Sequence, residues 1–129
     1  MRVLIADDER ALALTFAELV QSCHHDVVDV VSSGLDAIRS YHRHHPDVVL
    51  MDYNMARPNG LTACRNILSS DPAGRVVFLS GAGDVDNLAH SGTGAVAFLQ
   101  KPVRIAELKN VLDRLQSEET RDLTSSQAA

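Results

Sequence analysis

The sequence lacks tryptophan and has only two cysteines among its 129 residues. Cys23 and Cys64 are too few for the disulfide framework of a small secreted domain, so we expect both to be reduced. Cys64 shares a helical stripe with Leu61 and Leu68, which predicts a place in the core. No apolar run approaches the roughly 20 residues that span a bilayer, and the start turns acidic too early for a signal peptide. We therefore expect a soluble, cytoplasmic protein that does not contact a membrane.

The sequence also lacks a run of basic residues. Its 12 Lys and Arg stand against 17 Asp and Glu, which gives a formal net charge of -5. Nucleic-acid-binding domains carry clustered basic residues, so we do not expect this chain to bind nucleic acid directly. An acidic surface of this kind favours solubility and does not specify a protein partner.

Five short apolar runs recur along the chain, and four of them are nearly continuous. Continuous runs are typical of strands that are covered on both faces, as in a parallel sheet. Segments with helical spacing lie between the runs, and this alternation predicts an α/β protein: a doubly wound, five-stranded parallel sheet with helices on both faces. Ligands of such sheets bind at the carboxyl ends of the strands. The runs cover residues 3–6, 27–31, 48–51, 76–79 and 95–99.

The segments between the runs differ in how strongly they predict helices. Residues 81–94 contain four glycines and predict only a short, weakly held fourth helix. Residues 1–116 are expected to form one domain, and residues 117–129 a flexible tail or the start of a linker. The four clear stripes are Leu12, Phe16, Leu19 and Val20; Leu35 and Ile38, after a Ser33–Asp36 capping box; Leu61, Cys64, Ile67 and Leu68; and Ile105, Leu108, Leu112 and Leu115.

Polar residues stand at the predicted carboxyl ends of four strands, where they would meet at one edge of the sheet. Three of them are carboxylates, which repel one another and raise one another's pKa unless a cation lies among them. Mg2+ binds through one or two carboxylates together with waters and phosphate oxygens, so it suits such a cluster. The residues are Asp7 with Asp8, Asp52, Ser80 with Gly81, and Lys101 with Pro102.

A carboxylate beside such a metal can act as a nucleophile toward a phosphoryl group and form an aspartyl phosphate. The reaction depends on positioning and charge neutralisation, for which Lys101 offers an ammonium and Ser80 a hydroxyl. Gly81 would let phosphoryl oxygens approach the backbone N–H. Taken singly, each residue is explained as well by a solvated strand-end turn, and only the combination indicates chemistry.

The motifs at these strand ends closely resemble the receiver domain of two-component response regulators, the CheY-like superfamily. The resemblance covers residues 2–116 and implies the flavodoxin-like receiver fold with strand order 2-1-3-4-5. The motifs that carry it are ADDE at 6–9, LMDYNMARPNG at 50–60, FLSGAG at 78–83 and FLQKP at 98–102.

The resemblance implies that Asp52 is the phosphoacceptor and that Mg2+ is the cofactor. Asp8 and Asp52 match direct ligands of the metal, and Asp7 matches a residue that acts through water. The backbone carbonyl of Asn54 matches the remaining protein ligand.

The resemblance also implies roles around the phosphoryl group. Lys101, Ser80 and Gly81 match positions that contact phosphoryl oxygens. Ser80 and Phe98 match a switch pair, in which an aromatic rotamer follows the movement of the hydroxyl. Pro102 matches a proline that is usually preceded by a cis bond.

Two residues depart from the family pattern. Met55 is followed by Ala56 where the family usually has proline, and a proline comes only at Pro58. Gly60 keeps its family position, so the length of this loop is normal and only its stiffness is in question. Phe98 lacks the hydroxyl of tyrosine, so packing alone would favour its inward rotamer.

Two other functions compete with a phosphorylated receiver. A haloacid-dehalogenase-type phosphatase also uses a strand-end aspartate with Mg2+, but it needs a second Asp where this chain has Asn54. A degenerate receiver, serving only as a protein-protein module, is less well supported because all five key positions carry competent residue types.

The six histidines invite a metal-site interpretation, but their spacing matches no structural zinc site. We expect them to lie in solvated turns. Two clusters raise the question: His24 and His25, which adjoin Cys23, and His42, His44 and His45, which precede Pro46.

The expected protein is a phosphorylatable receiver that catalyses only its own phosphorylation and dephosphorylation and is not otherwise an enzyme. The expected donor is a sensor histidine kinase or a histidine phosphotransfer protein. The output partner is unknown: it is either a separate protein or an effector domain that this chain does not contain. A homodimer is compatible with the sequence.

Overall fold

The computed structural model describes residues 1–81 and 92–128, with side chains up to residue 118. The predicted short helix within residues 81–94 lies largely on residues 82–91, which are outside the described part of the chain.

Five parallel strands form one sheet. They are β1 (Arg2–Ala6), β2 (Asp26–Val31), β3 (Val48–Asp52), β4 (Val76–Ser80) and β5 (Ala97–Gln100), in the order β2-β1-β3-β4-β5. All five residues of β3 and of β4 are buried, which is why both read as continuous apolar runs. The predicted sheet and strand order are confirmed.

The described helices cover both faces of the sheet. They are α1 (Arg10–Ser22), α2 (Gly34–His44), α3 (Gly60–Ser70) and α4 (Ile105–Ala128). Helices α1 and α4 contribute to one apolar cluster, and α2 and α3 contribute to a second one on the opposite face. Cys64 on α3 is fully buried, as expected, and both cysteines are free. No helix in the described ranges is long and apolar enough to cross a membrane.

The predicted helical stripes are wrong at two positions. Leu35 is 45% exposed and Ile105 is 49% exposed. Both lie in the first turn of their helices, whereas the buried faces lie further along, at Ala37 and Tyr41 in α2 and from Leu108 onward in α4. The capping box was predicted correctly at its first contact, since Oγ of Ser33 accepts the Asp36 N–H at 3.1 Å.

Helix α4 passes Ser117 without a break and ends at Ala128. The backbone of residues 117–128 thus continues the helix, and the flexible tail or linker expected there stays a prediction. The boundary of the domain near residue 116 stays a prediction.

Among the described histidines, one is buried and so departs from the expected solvated position. His24 is exposed and adopts a left-handed backbone conformation, with φ of 66°, but His25 is buried. Nδ1 of His25 lies 2.9 Å from the Met1 amino group. Burial is the main reason why the pKa of His25 lies below its ordinary value, and the Met1 ammonium lowers it further.

Candidate functional site

The polar residues predicted at the strand ends meet at the carboxyl edge of the sheet. Asp7 directly follows β1, Asp52 ends β3, Ser80 ends β4 and Lys101 directly follows β5. Because the strands are parallel, all four positions lie at the same edge. Asp7, Asp52 and Ser80 are buried, with 1%, 5% and 1% of their surfaces exposed. A buried acid at the end of an apolar strand therefore faces a site and not bulk water.

Three carboxylates form a cluster at this edge. One oxygen each from Asp7, Asp8 and Asp52 lie within 4.8 Å of one another. The Asp7 carboxylate is fixed by the Glu9 N–H, which donates to its Oδ1 at 2.9 Å. The Asp52 carboxylate accepts from the Asn54 N–H at 3.2 Å. Asp8 is exposed, so the cluster opens to solvent on its side.

Lys101 supplies a positive charge inside the cluster. Its Nζ lies 3.1 Å from Oδ2 of Asp7 and 3.4 Å from Oδ1 of Asp52. The lysine is positioned by its backbone N–H, which donates to the Ser80 carbonyl at 2.7 Å. The peptide bond between Lys101 and Pro102 is cis, the isomer that the sequence resemblance implied.

The electrostatics of the site follow from burial and from the crowding of like charges. Burial raises the pKa of Asp52 to about 6, with a further contribution from the Asp7 carboxylate, while Lys101 and the Asn54 N–H act in the opposite direction. Burial also lowers the pKa of Lys101, but contacts with Asp7 and Asp52 outweigh it and leave that pKa raised. Lys101 is therefore a stable cation beside carboxylates that are incompletely neutralised.

The donor set fits a hard divalent cation. Three carboxylates face one ammonium, which leaves an excess of two negative charges when all three acids are ionised. Oxygen ligands of this kind are those that Mg2+ prefers, and the open side at Asp8 leaves room for waters or phosphate oxygens. Among the described residues this is the only group of three or more metal-binding side chains, so the histidines form no such site there.

The two predicted switch residues occupy different surroundings. Ser80 is buried at the end of β4, beside Gly81. Phe98 on β5 is 45% exposed, and its ring is stacked on that of Phe78, with centroids 6.1 Å apart and an interplanar angle of 15°. The Phe78 ring also contacts Tyr53, edge to face, at 5.5 Å. A continuous aromatic contact thus runs from the residue after Asp52 to the exposed ring of Phe98.

The loop between β3 and α3 carries Asn54 and is packed tightly at its far end. The Gly60 N–H donates to the Tyr53 carbonyl at 3.1 Å. A Cβ on Gly60 would lie 2.2 Å from the Asp52 carbonyl oxygen, so only glycine fits here. Gly60 was identified from the sequence, whereas Gly34, whose N–H binds the Ala56 carbonyl in the middle of the same loop, was not. Its position directly after the N-cap residue Ser33 was the feature of the sequence that could have indicated a close backbone contact there.

Comparison with known proteins gives one consistent result. The family model described as "Response regulator receiver domain" matches residues 3–113. The transcriptional regulatory protein PdtaR of Mycobacterium tuberculosis is 33% identical over 108 residues, which cover 83% of this chain. The same alignment covers 52% of PdtaR, so the chain spans about half the length of that relative.

Two solved structures show the same fold. A response regulator receiver domain from Clostridium thermocellum has a TM-score of 0.85 and 26% identity, and the match covers 92% of this chain and 96% of that one. The receiver domain of the sensor histidine kinase PA1611 from Pseudomonas aeruginosa, with a magnesium ion coordinated in its active-site cleft, has a TM-score of 0.78 and 26% identity, covering 88% and 95%. This chain, with its acidic cluster and adjoining lysine at the sheet edge, belongs to the receiver-domain family of response regulators.

Proposed function

We propose that this receiver domain accepts a phosphoryl group on Asp52 in a Mg2+-dependent reaction. The observation that carries the proposal is the position of the Asp52 carboxylate, which is buried within 4.8 Å of two further carboxylates and 3.4 Å from the Lys101 ammonium. A carboxylate in such a site is positioned to attack phosphorus, and the surrounding charges are those that phosphoryl transfer requires.

The donor is the phosphohistidine of a sensor histidine kinase or of a histidine phosphotransfer protein. A carboxylate oxygen of Asp52 forms the new bond to phosphorus while the bond from phosphorus to the imidazole nitrogen breaks. The imidazole leaves with the electron pair of that bond and is protonated by solvent. Hydrolysis of the aspartyl phosphate by water then restores Asp52 and releases phosphate.

Mg2+ would be held by Asp8, Asp52 and the backbone carbonyl of Asn54, with Asp7 acting through water. When bound, it neutralises negative charge on the carboxylates and on the transferring phosphoryl group. The proposal is supported by the donor set described above and by the magnesium ion in the receiver domain of PA1611.

The remaining residues of the edge bind phosphoryl oxygens. Lys101 neutralises charge from its place between Asp7 and Asp52. The Ser80 hydroxyl and the Gly81 backbone N–H act as further hydrogen-bond donors. The domain thus promotes its own phosphorylation and dephosphorylation and acts on no separate substrate.

Phosphorylation would be reported through Ser80 and Phe98. Movement of the Ser80 hydroxyl toward the phosphate would vacate space that an inward rotamer of Phe98 fills, and that rotamer would bury a ring that is now 45% exposed. The balance between the two rotamers is the proposed signal to a partner protein or to an effector domain.

The proposal is tested by intact-mass measurement before and after incubation with acetyl phosphate and Mg2+. We expect one added phosphoryl group that hydroxylamine removes and that is absent in Asp52→Asn. Because some receivers accept phosphoryl groups only from proteins, a histidine phosphotransfer protein is tested as a second donor. Absence of labelling from both donors, together with no binding of Mg2+, would instead identify a degenerate receiver that acts only by binding proteins.

A further inference from the structure

We propose that Gly34, the first residue of α2, is a positioning residue for the β3–α3 loop and thereby for the Mg2+ site. This inference rests on the proposed function of Asp52, but its structural part is tested without metal or phosphoryl donor. Gly34 contacts none of the reacting groups, so its effect would be exerted through the loop.

The N-terminus of α2 uses the β3–α3 loop as its cap. The first N–H groups of a helix have no partners within the helix and need acceptors elsewhere. In α2, the Gly34 N–H donates to the Ala56 carbonyl at 3.1 Å, and the Leu35 N–H donates to the Arg57 carbonyl at 2.9 Å. The third N–H, that of Asp36, is satisfied within the helix terminus by Oγ of Ser33. Two of these three donors are thus satisfied by the loop that carries Asn54.

Close approach of the loop requires a residue without a side chain at position 34. A Cβ there would lie 2.1 Å from the Pro58 carbonyl oxygen and 2.9 Å from its carbonyl carbon and its Cδ. These obstacles are backbone and ring atoms, which cannot rotate away as the end of a flexible side chain can. Any substitution would therefore separate the loop from α2 and break the two hydrogen bonds.

The same loop is fixed at its two ends, next to the acids. Near its start, Asn54 donates its N–H to Asp52, and directly after its end Gly60, the first residue of α3, packs against the Asp52 carbonyl. Between these points the chain has Ala56, where the family usually has the stiffer proline. The hydrogen bond from the Gly34 N–H to the Ala56 carbonyl restrains this residue. At Ala56, α2 thus supplies a restraint that a proline usually supplies in the family.

Gly34→Ala is the test, with two matched control variants. Ser33→Ala removes the side-chain cap of α2 but leaves Gly34 unchanged, so it reports the effect of weakening the helix end alone. Gly74→Ala also introduces a steric conflict, since its Cβ would lie 2.7 Å from the Tyr41 hydroxyl, but the atoms nearest to that Cβ belong to Tyr41, Asp71 and Leu68, outside the loop. Urea unfolding of all three variants shows whether each still folds and how much stability it loses.

The first measurement is the NMR spectrum of the backbone amides in metal-free protein. We expect Gly34→Ala to shift the resonances of Tyr53 and Asn54, and we expect Ser33→Ala and Gly74→Ala to leave both in place. Unchanged Tyr53 and Asn54 resonances in a folded Gly34→Ala protein would overturn the inference. This result does not depend on whether Asp52 is ever phosphorylated.

The second measurement is Mg2+ affinity by calorimetry, together with labelling by acetyl phosphate. We expect Gly34→Ala to weaken Mg2+ binding roughly tenfold, the lower end of the loss seen when a residue that orients a metal ligand is removed. The two controls should bind as the unmodified protein does. Equal affinity in all four proteins would disprove the positioning role and leave the proposed function intact. An unmodified protein that neither binds Mg2+ nor becomes labelled would refute the function, and the amide resonances would still decide the role of Gly34.

Discussion

The Nζ of Lys101 lies 3.4 Å from Oδ1 of Asp52. Asp52 is the last residue of β3 and Lys101 directly follows β5, so both lie at the carboxyl edge of the sheet. The ammonium is also 3.1 Å from Asp7, so it is the countercharge of the two buried acids of the cluster. A divalent cation that binds the same carboxylates must share them with Lys101. Metal binding and the lysine are therefore coupled through charge.

Lys101→Met is expected to tighten Mg2+ binding while it slows phosphorylation. The substitution keeps the apolar stem but removes a positive charge close to the metal ligands, so Mg2+ affinity should rise by roughly tenfold. Labelling of Asp52 by acetyl phosphate should nevertheless be slower, because no ammonium neutralises the transferring group. Calorimetry and a labelling time course measure the two effects.

Lys109→Met serves as the control. It removes an exposed lysine that is paired with Asp113, and it should change neither the Mg2+ affinity nor the labelling rate. Weaker or unchanged Mg2+ binding in Lys101→Met would contradict this account.

Asp52→Asn is expected to stabilise the metal-free protein at neutral pH. Burial and the Asp7 carboxylate raise the pKa of Asp52 to about 6, so the folded protein binds this proton more tightly than the unfolded chain, whose Asp pKa is about 3.9. The contribution of Asp52 to the free energy of unfolding is therefore fully present below pH 4, where the carboxyl is protonated, and it is lost as the pH rises through about 6. The amide carries no charge and avoids this loss. It gains about 1 to 2 kcal/mol at pH 7, less than the full pKa difference gives, because solvent reaches the cluster on the side of the exposed Asp8 and screens the repulsion.

Urea unfolding in the presence of a chelator, between pH 4.5 and pH 7.5, checks this prediction. The difference between Asp52→Asn and the unmodified protein should grow over that interval. Asp26→Asn, at an exposed position at the start of β2, controls for the loss of a surface charge. A difference that stays constant across the whole pH range would mean that the Asp52 carboxylate is not disfavoured by the fold.

The sheet and the location of the site could be predicted from sequence for one physical reason. Strands covered on both faces, such as β3 and β4, must be apolar along their whole length, so an acid at the end of β3 stands out. Parallel strands bring their carboxyl ends to one edge of the sheet. The strand order that places β1 beside β3 came from the resemblance to receiver domains and is the order observed.

The helices were less predictable because their burial depends on tertiary packing. The buried side of α2 includes Gly34, Ala37 and Ser40, small residues that form no apolar stripe, while the larger Leu35 is exposed. Contacts between distant backbone segments leave even less trace in sequence. The hydrogen bonds from Gly34 and Leu35 to the loop are of this kind. Residue types cannot reveal which carbonyls satisfy a helix end.

Asp8→Asn is expected to weaken Mg2+ binding by about tenfold or more. Although Asp8 is exposed, one of its oxygens lies in the cluster with Asp7 and Asp52, and divalent-ion affinity depends strongly on the number of charged ligands. Asp36→Asn is a matched control, because Asp36 is an exposed acid that lines the same surface cavity as Asp8 without belonging to the cluster. A metal titration that gives equal affinities for the two variants would argue against Asp8 as a ligand.

Tyr41→Phe is expected to reduce stability without changing Mg2+ affinity. The Tyr41 hydroxyl donates to Oδ2 of Asp71. Burial is the main reason why the pKa of Tyr41 is raised, and the Asp71 carboxylate raises it further. Phenylalanine keeps the buried ring but loses the hydrogen bond, which costs about 1 kcal/mol because the half-buried Asp71 can still reach water. Tyr53→Phe serves as the control, because it also removes a phenolic hydroxyl but keeps the ring that packs edge to face on Phe78.

The contact between Tyr41 and Asp71 lies away from the acids. Asp71 precedes β4, so the contact is at the amino edge of the sheet. A change in Mg2+ affinity in Tyr41→Phe would show that α2 transmits strain along its length, whereas lost stability alone confines the coupling to its N-terminus.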